Sequence, residues 1–180
     1  MVISLQEFEA RVERDYGKNK FLAYGTAVLF LLIGNLILYE IIFINNFTYG
    51  MGLGLFVFSA AVAIYLIITG ARGFAYIPVL TQIYKIGSYP ADYGSKRILE
   101  QAAAQAGLRR HSFQGFGPVM RYEKPGAFGS VSVVEFYFAA SAVFAHVRVH
   151  NHPLEYMTYH ARKKLVSELQ REFDKISAQH

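Results

Sequence analysis

The chain has 180 residues, 53% of them hydrophobic and only 17% charged, with a formal net charge of +5; ordinary globular chains carry roughly 25% charged residues. It has no cysteine, which excludes disulfides, thiolate zinc sites, iron–sulfur ligation and cysteine nucleophiles. The charge deficit is local. Between Phe21 and Ala71 the only formally charged side chain is Glu40, while Ser88 to His180 reads as a mildly basic soluble domain. The positive balance is therefore assigned to the inner-side bias of membrane proteins and not to nucleic-acid binding.

In chain order, residues 1–20 predict a short amphipathic helix. Ser4 and Glu7 have capping-box spacing, and Leu5, Phe8, Val12 and Tyr16 recur at helical intervals. The first twenty residues hold four acids and no apolar core, which is not the pattern of a signal peptide or a transit peptide.

Residues 21–71 predict a transmembrane hairpin. Phe21 to Phe43 and Met51 to Gly70 are apolar runs, and a helix needs about 20 such residues to span the hydrocarbon. Asn45, Asn46 and Gly50 lie between them as turn formers. Lys18 and Lys20 precede the first run, Arg72 closes the second, and the turn has no basic residue. The positive-inside rule then puts both termini on the matrix or cytoplasmic side. For helix packing, Gly50 and Gly54 sit four apart, as do Ser59 and Ala63, while Gly25 and Gly34 mark the first helix; small residues at such spacings let backbones approach. Asn35 lies about 20 Å along the first helix from Leu22, within the hydrocarbon, and its amide needs a partner. Glu40, about 27 Å along, is expected at headgroup level.

Residues 72–94 predict an interfacial helix and connector, because the stretch from Phe74 to Pro90 is amphipathic and rich in tyrosine, with Pro78 kinking it. Residues 95–180 predict an inner-side α+β domain. Ser95 to Ala106 is a helix stopped by Gly107. Short strands follow at His111 to Gln114 and Val119 to Glu123, then a hairpin of Ser130 to Phe138 and Val143 to His150. Pro153 opens a long helix whose apolar stripe is Leu154, Met157, Ala161, Leu165, Leu169, Phe173 and Ile176. The predicted fold is thus a two-helix membrane hairpin followed by a small α-β-β-β-β-α domain with an antiparallel sheet.

No constellation in the sequence carries catalysis, and no cofactor or metal is expected. His146, Arg148 and His150 alternate with valines and share one strand face. His146 and His150 are then roughly 13 Å apart along the strand, too far to share an ion. The three are read, with Arg162, Lys163 and Lys164, as a basic strip facing a partner or anionic headgroups. Gly115 to Pro118 is turn chemistry, since no Lys-Ser/Thr follows to make a phosphate loop. Asn46-Phe47-Thr48 matches a glycosylation sequon but falls in a short loop against the membrane. The expected role is a non-catalytic accessory or structural subunit of a multiprotein complex in an energy-transducing inner membrane, bacterial or mitochondrial. Its partners would be other membrane subunits and lipids, with structural anionic phospholipid possible and no nucleic acid. A stand-alone anchored module that recognises a headgroup or a soluble ligand is the alternative, and a membrane enzyme the third.

Overall fold

The computed structural model describes residues 4–44, 53–88, 94–110, 119–126, 129–139, 142–150 and 155–179. The chain divides into two compact units, Met1–Tyr16 with Leu80–His180, and Gly17–Val79. Helix α1 (Leu5–Tyr39) contributes its first turns to the former and the rest to the latter.

In the Gly17–Val79 unit, α1 ends in a π-helical turn (Glu40–Ile44), and α2 (Leu53–Tyr76) follows. Both helices are long and apolar enough to cross a membrane, over Asn19–Phe43 and Gly54–Thr81, each with a mean hydropathy of 2.2. They meet through glycine. A Cβ on Gly34 would lie 2.9 Å from the Ala63 carbonyl oxygen, and one on Gly70 would lie 2.7 Å from that of Ala27. Tyr24 and Phe74 add a ring contact at 5.8 Å. Polar side chains on α1 bond to their own helix: Thr26 Oγ1 donates to the Leu22 carbonyl at 3.0 Å, and Asn35 Nδ2 to that of Leu31 at 2.8 Å. Of the residues expected to pack, Gly34 and Ala63 are buried in this contact, and Ser59 is half-buried. Gly25 and Gly54 face open space. Gly50 and the loop asparagines lie outside the described residues.

The other unit is built on a five-stranded antiparallel sheet in the order β1-β5-β4-β3-β2. Its strands are β1 (Ile83–Ser88), β2 (Arg109–Arg110), β3 (Val119–Pro125), β4 (Val131–Phe138) and β5 (Ala142–His150). Helices α3 (Gly94–Gln105) and α4 (Tyr159–Ser177) supply Leu99, Ala102, Leu165, Leu169 and Phe173 to a core with Met120, Phe136, Val143, Ala145 and Val147. Strand alternation sends Tyr137, Phe144 and His146 to the opposite face, where Phe8, Val12 and Tyr16 of α1 cover them. The sheet is therefore enclosed on both sides.

Local chemistry sets the ends of these elements. Ser4 and Glu7 close a reciprocal capping box, backbone N to Oε2 at 2.6 Å and backbone N to Oγ at 3.1 Å. Helix α3 stops at Gly107 (φ +76°), with the Leu108 N–H returning to the Ala103 carbonyl at 2.9 Å, a Schellman closure. Gly87 sits under the Phe173 ring, which occupies the space a Cβ would need.

Two expectations are corrected. The interfacial helix over residues 72–94 is instead the end of α2, a 3-10 turn (Ile77–Thr81) and the edge strand β1. The Ile83-Tyr84-Lys85-Ile86 run alternates, and pairing with β5 outweighs its weak helical pattern. Strand β1 thereby joins a sheet in which three of the four expected strands appear as β3, β4 and β5. The long C-terminal helix begins at Tyr159 after a 3-10 turn (Glu155–Thr158), with Pro153 outside the described residues. Of the expected stripe Leu165, Leu169, Phe173 and Ile176 are buried, joined by Arg162 and Val166, whereas Ala161 is exposed and Met157 half-buried; Leu154 lies outside the described residues. The strand expected at His111 to Gln114 also lies outside the described residues; β2 precedes it.

Candidate functional site

The densest polar chemistry in the sheet unit gathers where β1 stops running beside β5. Their pairing ends at Ile83 and His146, so the backbone of β5 beyond that point needs other partners. Arg162 supplies one: its Nη1 donates to the Val147 carbonyl at 3.1 Å and to the Leu80 carbonyl at 3.3 Å. His146 reaches the same Leu80 oxygen through Nε2 at 3.0 Å. A carbonyl only accepts, so Nε2 bears the proton and Nδ1 is the bare nitrogen. That Nδ1 is buried and has no hydrogen-bond partner.

A second layer lies across His146. The Tyr16 ring meets the imidazole edge-on at 5.0 Å. The Tyr16 hydroxyl accepts from Arg148 Nη1 at 2.9 Å, and Arg148 Nη2 faces Glu135 Oε1 at 3.7 Å. Burial is the largest influence on Glu135, His146, Arg148 and Arg162. It raises the Glu135 pKa, against the positive charges of Arg11 and Arg121. It also lowers those of Arg148 and Arg162, which Glu155 partly restores. His146 is pushed down to about 4, chiefly by burial and further by Arg162, although its bond to the Leu80 carbonyl opposes the shift.

This arrangement joins α1, the chain entering β1, β5 and α4 through one carbonyl and two buried cationic side chains. It is a clamp in which the Nη groups of both arginines and the His146 Nε2 engage protein, while the Nε of Arg148 and of Arg162 are buried without a hydrogen-bond partner. The expectation that His146 and Arg162 face a partner or headgroups is corrected: they are 0% and 3% exposed. Arg148 is largely buried in its pairing with Glu135. His150 is half-buried, with its Nε2 enclosed and its pKa lowered by burial and then by Arg148. Only Lys163 and Lys164 of the set stand exposed on α4. Among the described residues no three metal-capable side chains come together; His152 lies outside them.

One open groove of about 460 Å³ adjoins the outer side of α1's first turns and the start of β1. It is lined by Gln6, Glu9, Ala10, Glu13, Thr81 and Ile83. The sequence reading missed Leu80, Glu135 and Gly70. A backbone acceptor leaves no mark in sequence, but Tyr16 was visible as the last member of the N-terminal apolar repeat.

The clamp makes stability depend on pH through His146. Unfolded histidine titrates near 6.5 and the folded ring near 4, so between these values the unfolded chain binds the extra proton. The contribution is whole above pH 6.5 and falls away toward pH 4, by about 3 kcal/mol in all. Melting the full-length protein in detergent at pH 7.5 and pH 5 should show a larger loss for wild type than for His146→Gln. Equal losses would mean that His146 is not held neutral.

No protein family, characterised protein or solved structure matches this chain.

Proposed function

We propose that this protein is a membrane-anchored, non-catalytic subunit of a multiprotein complex in an energy-transducing inner membrane, bacterial or mitochondrial. In this reading a two-span hairpin fixes the sheet unit on the inner side, with both termini there. The observation that carries it is the distribution of apolar surface. Every exposed large hydrophobic side chain among the described residues lies between Phe21 and Phe74, and only 17% of the most apolar window of each helix is buried. Soluble monomers rarely leave so much contiguous apolar surface uncovered, and a core helix of a soluble protein would be buried. The basic flanks Lys18, Lys20 and Arg72 and the uncharged turn support the orientation. The subunit role rests on a buried polar network that is spent on structure, leaving exposed surface as the chain's means of action.

Because the chain lacks cysteine, single thiols test the topology directly. Cysteines at Asn46 and at Gln179 should label from opposite sides of sealed vesicles. Labelling of both from one side would remove the hairpin. On a native gel the protein should then migrate with other subunits. The groove lined by Gln6, Glu9 and Glu13 favours a second reading, an anchored module for a soluble ligand; migration as a lone protein would favour it.

A further inference from the structure

Within the apolar run of α1 a carboxamide faces away from the partner helix. Asn35 is exposed on α1, about a quarter turn from Gly34, which packs on α2. One hydrogen of Nδ2 goes to the Leu31 carbonyl at 2.8 Å. A second N–H and the Oδ1 acceptor remain. Within the membrane no water is present to take them, so burying them without a partner is costly.

The face around Asn35 has a defined pattern. Phe21, Gly25, Val28, Leu32, Asn35 and Tyr39 follow one another at alternating spacings of four and three, which is the seam spacing of helices that coil left-handedly around each other. All six are exposed. Gly25 has nothing within 4 Å of where its Cβ would stand, so a second backbone can come close there. A single amide within an otherwise apolar seam fixes register and copy number in such assemblies.

We infer that the covering partner is a second copy of this chain, joined through the α1 seam with Asn35 paired to Asn35. The inference rests on the membrane reading proposed above. Its argument is complementarity of partial charge combined with symmetry. The exposed amide presents one positive N–H and one negative oxygen, so the group that completes it best is another amide. Two copies inserted in the same orientation are related by a twofold axis along the membrane normal. Each seam residue then meets its own counterpart at the same depth, and the two amides meet with no adjustment of register. A different subunit would need an unrelated polar group placed at that depth.

The chain's lack of cysteine gives a clean test. Single cysteines along α1 of the full-length protein, in its native membrane, are oxidised and resolved by mass. Cross-linked homodimer should appear at Phe21, Val28, Leu32 and Tyr39, and not at Leu22 or Ile33, which are also exposed but on other faces. Adding Asn35→Leu, which keeps the size of the side chain and removes the amide, should weaken self-association about tenfold, and Asn35→Gln should restore part of it. Alkaline extraction is run alongside. A protein released by alkali overturns the membrane reading and this inference with it. A protein that stays in the membrane but gives no homodimer, homodimer without the seam periodicity, or cross-links to another mass only, overturns the self-association and leaves the membrane reading standing.

Discussion

Replacing Arg162 with glutamate should abolish cooperative melting of the sheet unit, while Lys163→Glu and Lys164→Glu should each change its stability by no more than about 0.5 kcal/mol. The three residues are adjacent in sequence, but Arg162 is 3% exposed and the lysines are exposed. A carboxylate at 162 would point its oxygens at the Val147 and Leu80 carbonyls, which now accept from the guanidinium. Burying an unpaired charge against like dipoles costs more than about 4 kcal/mol, a large part of a typical domain stability of roughly 5–15 kcal/mol. Arg162→Met separates charge from hydrogen bonding. It keeps the apolar stem and removes a buried cation, so the residual cost is that of the carbonyl left without a donor, about 1–3 kcal/mol. The Leu80 oxygen would still hold His146. The measurement is loss of near-ultraviolet circular dichroism with temperature in detergent. A wild-type melt for Arg162→Glu would show that the clamp does not hold this unit together.

The same residue shows what sequence can and cannot give. Successive helix positions are turned about 100° apart, so a run of three basic residues cannot face one way. Stepping back from Ile176, Phe173, Leu169 and Leu165 at helical intervals lands on Arg162, and that periodicity places it inside. Adjacency in sequence hid this. For His146, Arg148 and His150 the alternation correctly put three side chains on one face of β5. What covers that face was not local: Tyr16 lies 132 residues before Arg148. Edge strand β1 was missed for a related reason, since six residues with mixed polarity suit either period until β5 supplies hydrogen bonds. Elements fixed by near neighbours were legible. The Ser4–Glu7 box, the stop at Gly107, and β4 and β5 to within a residue or so all follow from short-range rules. The two apolar helices were legible because length and composition alone define them.

Gly70→Leu and Gly34→Leu should each pull the two apolar helices apart, whereas Gly25→Leu and Gly54→Leu should leave the hairpin closed. Spacing alone suggested Gly54 as a contact, since residues four apart share a helix face, but it did not say which face meets the partner. Gly54 and Gly25 have nothing within 4 Å of a new Cβ. At Gly70 the first added carbon would stand 2.7 Å from the Ala27 carbonyl oxygen and 3.1 Å from the Leu31 nitrogen. At Gly34 it would stand 2.9 Å from the Ala63 oxygen and 3.2 Å from the Ile67 nitrogen. These are backbone atoms of regular helices and cannot rotate aside, so the helix axes themselves must move. Overpacking a tight contact costs roughly 1–3 kcal/mol, and leucine brings three further carbons. In the proposed membrane setting, contact between these helices has no hydrophobic drive to offset that loss, because lipid tails are as apolar as the helix surfaces. The closed population should therefore fall at least about tenfold. Cysteines at Tyr24 and Phe74, whose rings lie 5.8 Å apart, report closure through the yield of a short thiol-to-thiol cross-link within one chain. Neither glycine variant shortens an apolar run, so all four should remain in the membrane on alkaline extraction. Undiminished cross-linking in both Gly34→Leu and Gly70→Leu would mean that the helices do not meet through these glycines, and a loss in Gly54→Leu alone would move the contact to the other face.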